Sequence, residues 1–355
     1  MKPYRVGILG ATGLVGQRLI ERLAAHPWLR IAAVAASERS AGRSFADAVS
    51  WRLPSEMPVT VGALNVRPCR VEEMQDCDLV FSALDTAIAA ETEPHFAAAG
   101  IPVVSNSSAF RQDEDVPLVV PEVNASHLAL LDDVQKRNGG GFIVTNPNCS
   151  TTGLVLAMAP LYRQFGLDRI VVTTMQAVSG AGIEGPRAFE MLDNVVPYIP
   201  GEEEKIELEM GKILGAIDGG RVRRADLAVS AHCHRVATTD GHLEAVSVGL
   251  ASRAGAEEVI AALEGFRGEI EGEDLPSATA PAIVVRREND RPQPRLDRDA
   301  GGGMTVVVGR VRPCPVLDFK IEVLSHNTVR GAAGGTLLNA ELLVARGRIA
   351  RRDSA

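Results

Sequence analysis

Seven residues, Gly10-Ala11-Thr12-Gly13-Leu14-Val15-Gly16, constrain this chain more than any other stretch. They interrupt the run Tyr4-Arg5-Val6-Gly7-Ile8-Leu9, which reads as a short buried strand, and they open a helical stripe at Val15, Leu19, Ile20 and Leu23. A second strand is predicted at Arg30 to Ala36. Strand, glycine turn, helix, strand is the opening of a right-handed parallel unit. The order recurs through Leu79-Val80-Phe81, a helix near Ala87 to Ala99, and Pro102-Val103-Val104. Residues 1–149 therefore read as a doubly wound, Rossmann-like α/β domain. The spacing of Gly10, Gly13 and Gly16 departs from the commonest dinucleotide fingerprint, but backbone amides at a helix start suit a pyrophosphate.

Cofactor choice rests on Ser37-Glu38-Arg39-Ser40, just past the second strand. An acidic residue there suits the ribose hydroxyls of NAD, whereas serine and arginine suit the 2′-phosphate of NADP. Ser37 at the strand end and Arg39 between hydroxyls favour NADP. Glu38 keeps NAD open.

The texture changes at Asn146-Pro147-Asn148-Cys149-Ser150-Thr151-Thr152-Gly153. This stretch sets a cysteine between a strand-like run, Gly141 to Thr145, and a helix expected from about Thr152 to Phe165. Unpaired amides and the helix dipole lower a thiol pKa from its usual value of about 8.5, which makes Cys149 a candidate nucleophile. A buried small hydrophobe is the alternative for the same residue. Beyond it, β-rich runs at Arg169 to Ala177, Ala228 to Ser230, His242 to Leu250, Ala282 to Arg287, Met304 to Arg312 and Phe319 to Leu324 predict a largely antiparallel sheet with covering helices. Glu288 to Gly303 reads as a long loop, and Arg330 to Ala345 as a final helix whose small first residues allow close approach to a cofactor or to the first domain. The basic tail from Arg346 to Arg352 reads as frayed. A chain of 355 residues with 46% hydrophobic content supports two such cores.

A net charge of −8 argues against nucleic acid as a partner. Five scattered cysteines, Cys69, Cys77, Cys149, Cys233 and Cys314, fit neither a disulfide framework nor a structural zinc site. With no signal peptide and no apolar run of membrane-spanning length, a cytoplasmic protein is expected. His232-Cys233-His234 and His242 cluster in sequence, but strand alternation sends neighbours to opposite faces, so no metal is assigned. His242, after a turn glycine and at a strand start, is better placed for acid/base work than His232 or His234, with a satisfied core histidine as the alternative. Asn106-Ser107-Ser108-Ala109-Phe110-Arg111 follows a parallel strand at its carboxyl end, where ligands bind in such folds, so Arg111 can either grip a phosphate through two parallel hydrogen bonds or make a surface salt bridge. In Gly201-Glu202-Glu203-Glu204-Lys205, an acidic helix start, Lys205 is the odd member.

Together these stretches resemble the aspartate-β-semialdehyde dehydrogenases, particularly their archaeal and fungal branch. The resemblance adds Val120-Pro121-Glu122-Val123-Asn124, Gln176-Ala177-Val178-Ser179-Gly180-Ala181-Gly182, Arg235, Arg291-Pro292-Gln293-Pro294-Arg295 and Ser325-His326-Asn327-Thr328-Val329-Arg330-Gly331-Ala332-Ala333-Gly334, and so spans almost the whole chain. It implies a nucleophile at Cys149, a general acid/base at His242 and a substrate-positioning amide at Gln176. It implies further that Arg235 holds the substrate carboxylate, Glu202 its ammonium group, and Lys205 and Arg111 the phosphoryl group. Thr12, Gly13, Leu14, Val15, Ser37, Arg39, Ser40, Ser179, Gly180 and Asn327 would line an NADP site. The backbone N–H of Cys149 and the side chain of Asn148 are candidate oxyanion donors. The expected organisation is an NADP-binding domain over 1–149, completed by a C-terminal helix from 326–355, and a catalytic and dimerisation domain over 150–325. A homodimer or dimer of dimers is expected, because an antiparallel sheet needs its open face covered.

Overall fold

In the computed structural model, which describes residues 2–352, Tyr4–Leu9 forms β1, Leu14–Leu23 α1 and Leu29–Ala36 β2. Gly10 adopts φ +76°, and a Cβ there would stand 2.5 Å from the Ala83 carbonyl oxygen, so the turn meets the neighbouring chain closely only as glycine. Val66–Pro68 (β3), Leu79–Ser82 (β4), Thr86–Ala98 (α2), Val103–Ser105 (β5) and Ile143–Thr145 (β6) complete a parallel sheet in the order β3-β2-β1-β4-β5-β6. Its central strands are buried on both faces, which is why they read as apolar runs rather than alternating ones. β3 was not expected; three residues are too few to show a period.

Cys149–Phe165 forms α3, three residues earlier than expected. The cause is Asn148, whose Oδ1 accepts the Ser150 N–H (2.9 Å) and the Thr151 N–H (3.3 Å) and so caps the helix before Cys149. The second sheet comprises β7 (Leu167–Gln176), β10 (Ala228–Arg235), β11 (His242–Leu250), β12 (Ile283–Arg286), β13 (Val306–Pro313) and β14 (Phe319–Ser325), in the order β10-β7-β11-β14-β13-β12. Between β7 and β10 lie α4 (Glu202–Ile213) and a small hairpin, β8 (Ala216–Asp218) and β9 (Arg221–Arg223). The three inner pairings are antiparallel, as expected, but both edge strands run parallel to their neighbours, so the sheet is mixed. Helix α3 and α5 (Ala256–Glu264) cover one face. His242, Glu244, Val246 and Val248 of β11 point into that core, while Leu243, Ala245 and Ser247 line the open face beside Val171, which is 44% exposed.

The segment from Glu288 to Gly303 is not featureless. It holds a helical turn at Pro294–Asp297 because buried Asp297 accepts from Arg291 Nε and the Gln293 N–H, both at 2.7 Å. After β14 a wide π-type turn, Val329–Ala333, leads into α6, Gly334–Ala345. Leu337, Leu338, Leu342 and Leu343 of α6 share a core with Ile8 and Val104 of the first sheet and Leu19 of α1. A buried bidentate pair, Arg330 to Glu122 at 2.7 and 2.6 Å, anchors the same crossing. The basic tail is not frayed through Arg352. Arg346 donates to the Ala125 carbonyl (3.0 Å), Arg351 lies 4.1 Å from the Tyr4 ring centroid, and the Arg352 N–H donates to Asp78 (2.7 Å).

Candidate active site

Cys149 is the first residue of α3, and its sulfur lies 3.2 Å from Nε2 of His242, the first residue of β11. The Ala177 N–H donates to His242 Nδ1 at 3.0 Å. The neutral ring therefore carries its proton on Nε2, facing sulfur. Gly331 packs against Cys149 from the π-type turn; a Cβ there would fall 2.8 Å from both its Cα and its Cβ.

The expected low thiol pKa is not what the site produces. Burial, then the carboxylate of Glu202, pushes the Cys149 thiol up to about 12, against the opposing pull of Arg235 and Arg111. Burial, then the charges of Arg235 and His326, takes His242 down to about 3. The helix end is present, but desolvation outweighs it, and at rest thiol and imidazole are both neutral.

Glu202 is the hub of the surrounding groups. Its Oε2 accepts from Asn148 Nδ2 (2.7 Å) and Gln176 Nε2 (3.4 Å), and its Oε1 from Lys205 Nζ (2.9 Å). Burial pushes this carboxyl up, but Lys205 and the two amides more than offset it and keep the group ionised. Arg235 sits beside Gln176 in the β10/β7 register and donates to the Ala177 carbonyl at 2.8 Å. Asn327 joins the turn before His242 to the second domain's glycine-rich loop, accepting the Gly241 N–H (2.9 Å) and donating to Ser179 Oγ (2.8 Å). Gly180 lies against the pair; a Cβ there would stand 3.4 Å from His242 Nε2.

Two expectations need correction. Asn148 is occupied at both ends of its amide, capping α3 with Oδ1 and holding Glu202 with Nδ2, so of the two candidate oxyanion donors its side chain is already engaged. Arg111 does not present a free fork: Nη1 donates to Glu209 (3.0 Å) and Nη2 to the Asn106 carbonyl (2.9 Å).

Thr12, Gly13, Leu14 and Val15 form the start of α1, where no side chain caps the first turn, so its amides suit an anion. A cleft of about 470 Å³ lined by Leu14, Arg18, Leu53, Val178, Ser179 and Thr239 opens between this turn and the second domain. Ser37 and Arg39 are exposed and Ser40 half-buried past the end of β2. His232 is exposed and Cys233 buried, so alternation does separate them.

The profile of the semialdehyde dehydrogenase NAD-binding domain matches residues 5–131, and that of the semialdehyde dehydrogenase dimerisation domain matches 158–330. An aspartate-semialdehyde dehydrogenase of Archaeoglobus fulgidus is 50% identical over 343 residues, covering 96% of this chain and 98% of the relative. The Saccharomyces cerevisiae enzyme of that name is 44% identical, covering 97% and 98%. The chain belongs to the aspartate-semialdehyde dehydrogenase family. A crystal structure of the Candida albicans member with NADP superimposes with a TM-score of 0.91 at 43% identity, over 98% of this chain and 100% of that one.

In this family member two site residues escaped sequence reasoning. Glu209, 1% exposed, accepts from Arg111 and also from the Asn148 N–H at 2.6 Å, so one carboxylate ties the first-domain arginine to the loop that precedes Cys149. Lys212, also buried, donates to the carbonyls of Arg111 (2.7 Å), Asp113 (2.6 Å) and Val116 (2.8 Å); burial lowers its pKa to about 8. The available signal was spacing. Glu202, Lys205, Glu209 and Lys212 recur on one stripe of α4, a face rather than a solvated acidic end.

Proposed function

We propose that the chain catalyses the reversible, NADP-dependent reductive dephosphorylation of L-4-aspartyl phosphate to L-aspartate 4-semialdehyde and phosphate, in the biosynthesis of lysine, threonine, methionine and isoleucine. The observation that carries this is the Cys149–His242 contact at 3.2 Å inside a ring of Glu202, Gln176 and Arg235. Arg235 takes the substrate α-carboxylate and Glu202 its α-ammonium group, which selects a free amino acid over an N-acylated one. Lys205 supplies positive charge to the phosphoryl group, and Arg111, held by Glu209 and the Asn106 carbonyl, acts on it through its field rather than through a free fork.

The Cys149 sulfur attacks the acyl carbon, the C–O bond to phosphate breaks, and the thiol proton leaves with phosphate, giving a thioester. NADPH, when bound, supplies the hydride that reduces it. The His242 Nε2–H donates to the substrate oxygen as it becomes anionic, together with the Cys149 N–H, each worth about 3 kcal/mol in such a site. The same Nε2–H then faces sulfur as the C–S bond breaks and the aldehyde departs; a proton from solvent restores the thiol. To act as a base at Nε2 the ring must first release the Ala177 N–H, so its resting tautomer favours the donor half of the expected acid/base role.

We further propose the domain division at 149/150 with residues from 326 returning to the first domain, a homodimer or dimer of dimers built on the open face of the second sheet, and a cytoplasmic location. Among the described residues no helix is long and apolar enough to cross a membrane.

The test is NADPH formation by purified protein from L-aspartate 4-semialdehyde, with and without phosphate. Strict dependence on phosphate supports the assignment. Preference for malonyl-coenzyme A or N-acetylglutamyl phosphate in the reductive direction overturns it, and light scattering that shows only monomer at micromolar concentration rules out the dimer.

A further inference from the structure

We infer that Arg70 is a further determinant of cofactor choice: it cancels the charge of Glu38 and presents its guanidinium to the ribose 2′-phosphate. This rests on the NADP assignment above and answers the ambiguity that Glu38 introduces. The juxtaposition is built into the sheet. β2 and β3 are parallel neighbours with Ala35 opposite Arg67 and Ala36 opposite Pro68, so both chains leave the sheet side by side at its carboxyl end. The Cys69 thiol donates to the Ala36 carbonyl at 3.6 Å, and the Arg70 N–H turns back to the Pro68 carbonyl at 2.9 Å. Glu38 and Arg70, each two residues past its strand, meet as an ion pair through Glu38 Oε1 and Arg70 Nη2.

A free carboxylate at this point accepts from ribose hydroxyls and repels a phosphate dianion. Paired with a guanidinium it loses that repulsion, and Arg70 keeps further N–H groups for the phosphate, since only Nη2 is engaged by Glu38. The pair is exposed, with side chains 63% and 67% accessible, so it contributes little to stability and lies within reach of a ligand. Arg39, likewise exposed, makes no ion pair among the described residues, so two cations flank the same strand ends.

The experiment is a cofactor cycle: KM for NADPH and for NADH measured on the wild-type protein, R70A, E38Q and R70A/E38Q, with thermal melts as a fold control. R70A is expected to raise KM for NADPH about tenfold while KM for NADH moves less than about twofold, and E38Q in the same chain to recover part of that loss, the remainder being Arg70's own contact to the phosphate. Three results overturn the inference: R70A leaving KM for NADPH within about twofold of wild type, equal losses for both cofactors, or no recovery in R70A/E38Q. A wild-type protein that does not prefer NADPH contradicts the NADP assignment itself, which is a separate outcome read before any variant.

Discussion

Cys149 Sγ and His242 Nε2 lie 3.2 Å apart, with the far nitrogen of the imidazole already accepting the Ala177 N–H. That second bond decides which proton the ring offers. Glutamine can supply an N–H in place of Nε2–H, whereas alanine cannot. His242→Ala is therefore expected to lower kcat by about 10²–10⁴ and His242→Gln by clearly less. Steady-state rates at saturating substrate check this; a glutamine variant as inactive as alanine would show that proton acceptance, not donation, is the essential role.

The thiol, pushed up to about 12 by burial and Glu202, is protonated at neutral pH in the unliganded protein. A raised pKa means less thiolate at any given pH, so alkylation of Cys149 by iodoacetamide is expected to climb about tenfold per unit between pH 7 and 10 without a plateau. Peptide-resolved mass spectrometry measures it. A plateau with a midpoint below pH 7 contradicts the neutral pair.

Glu209 and Arg111 are almost fully buried together. Removing one partner strands the other's charge, so Glu209→Leu is expected to cost about 3–5 kcal/mol of stability in urea titration. A loss under about 1 kcal/mol would mean the pair is solvated and Arg111 free.

Gly331 touches Cys149, where a Cβ would approach within 2.8 Å of its Cα and Cβ. Gly331→Ala is expected to cost about 1–3 kcal/mol and to depress turnover more than cofactor affinity, because the displaced atom is next to sulfur. Equal turnover in the variant, measured beside its melting temperature, would place the contact outside the reacting geometry.

Much of this was legible in the sequence where the signal is local. β1, α1 and β2 are marked by an apolar run, a glycine turn and a 3.6-residue stripe; β1 has the expected bounds, and α1 and β2 each begin one residue earlier than the pattern suggests. The start of α3 was misplaced because the cap is a single side chain, Asn148, whose role depends on its rotamer. Glu209, Lys212 and Arg70 were missed for a different reason. Glu209 and Lys212 lie on a stripe that their spacing marks, but their partners, like the Glu38 partner of Arg70, come from distant segments, and nothing local says what such side chains pair with. The thiol pKa failed likewise: a helix end is visible in sequence, but the desolvation that outweighs it is a property of the packed fold.

The central claim is that the acyl group rides on Cys149. Purified protein mixed with NADP and L-aspartate 4-semialdehyde in the absence of phosphate, acid-quenched and digested, tests it most directly. An aspartyl thioester on the peptide carrying Cys149, discharged on adding phosphate and absent from Cys149→Ala, is the expected result. Full phosphate-dependent turnover by Cys149→Ala, or no adduct on that peptide while NADPH accumulates, would contradict it.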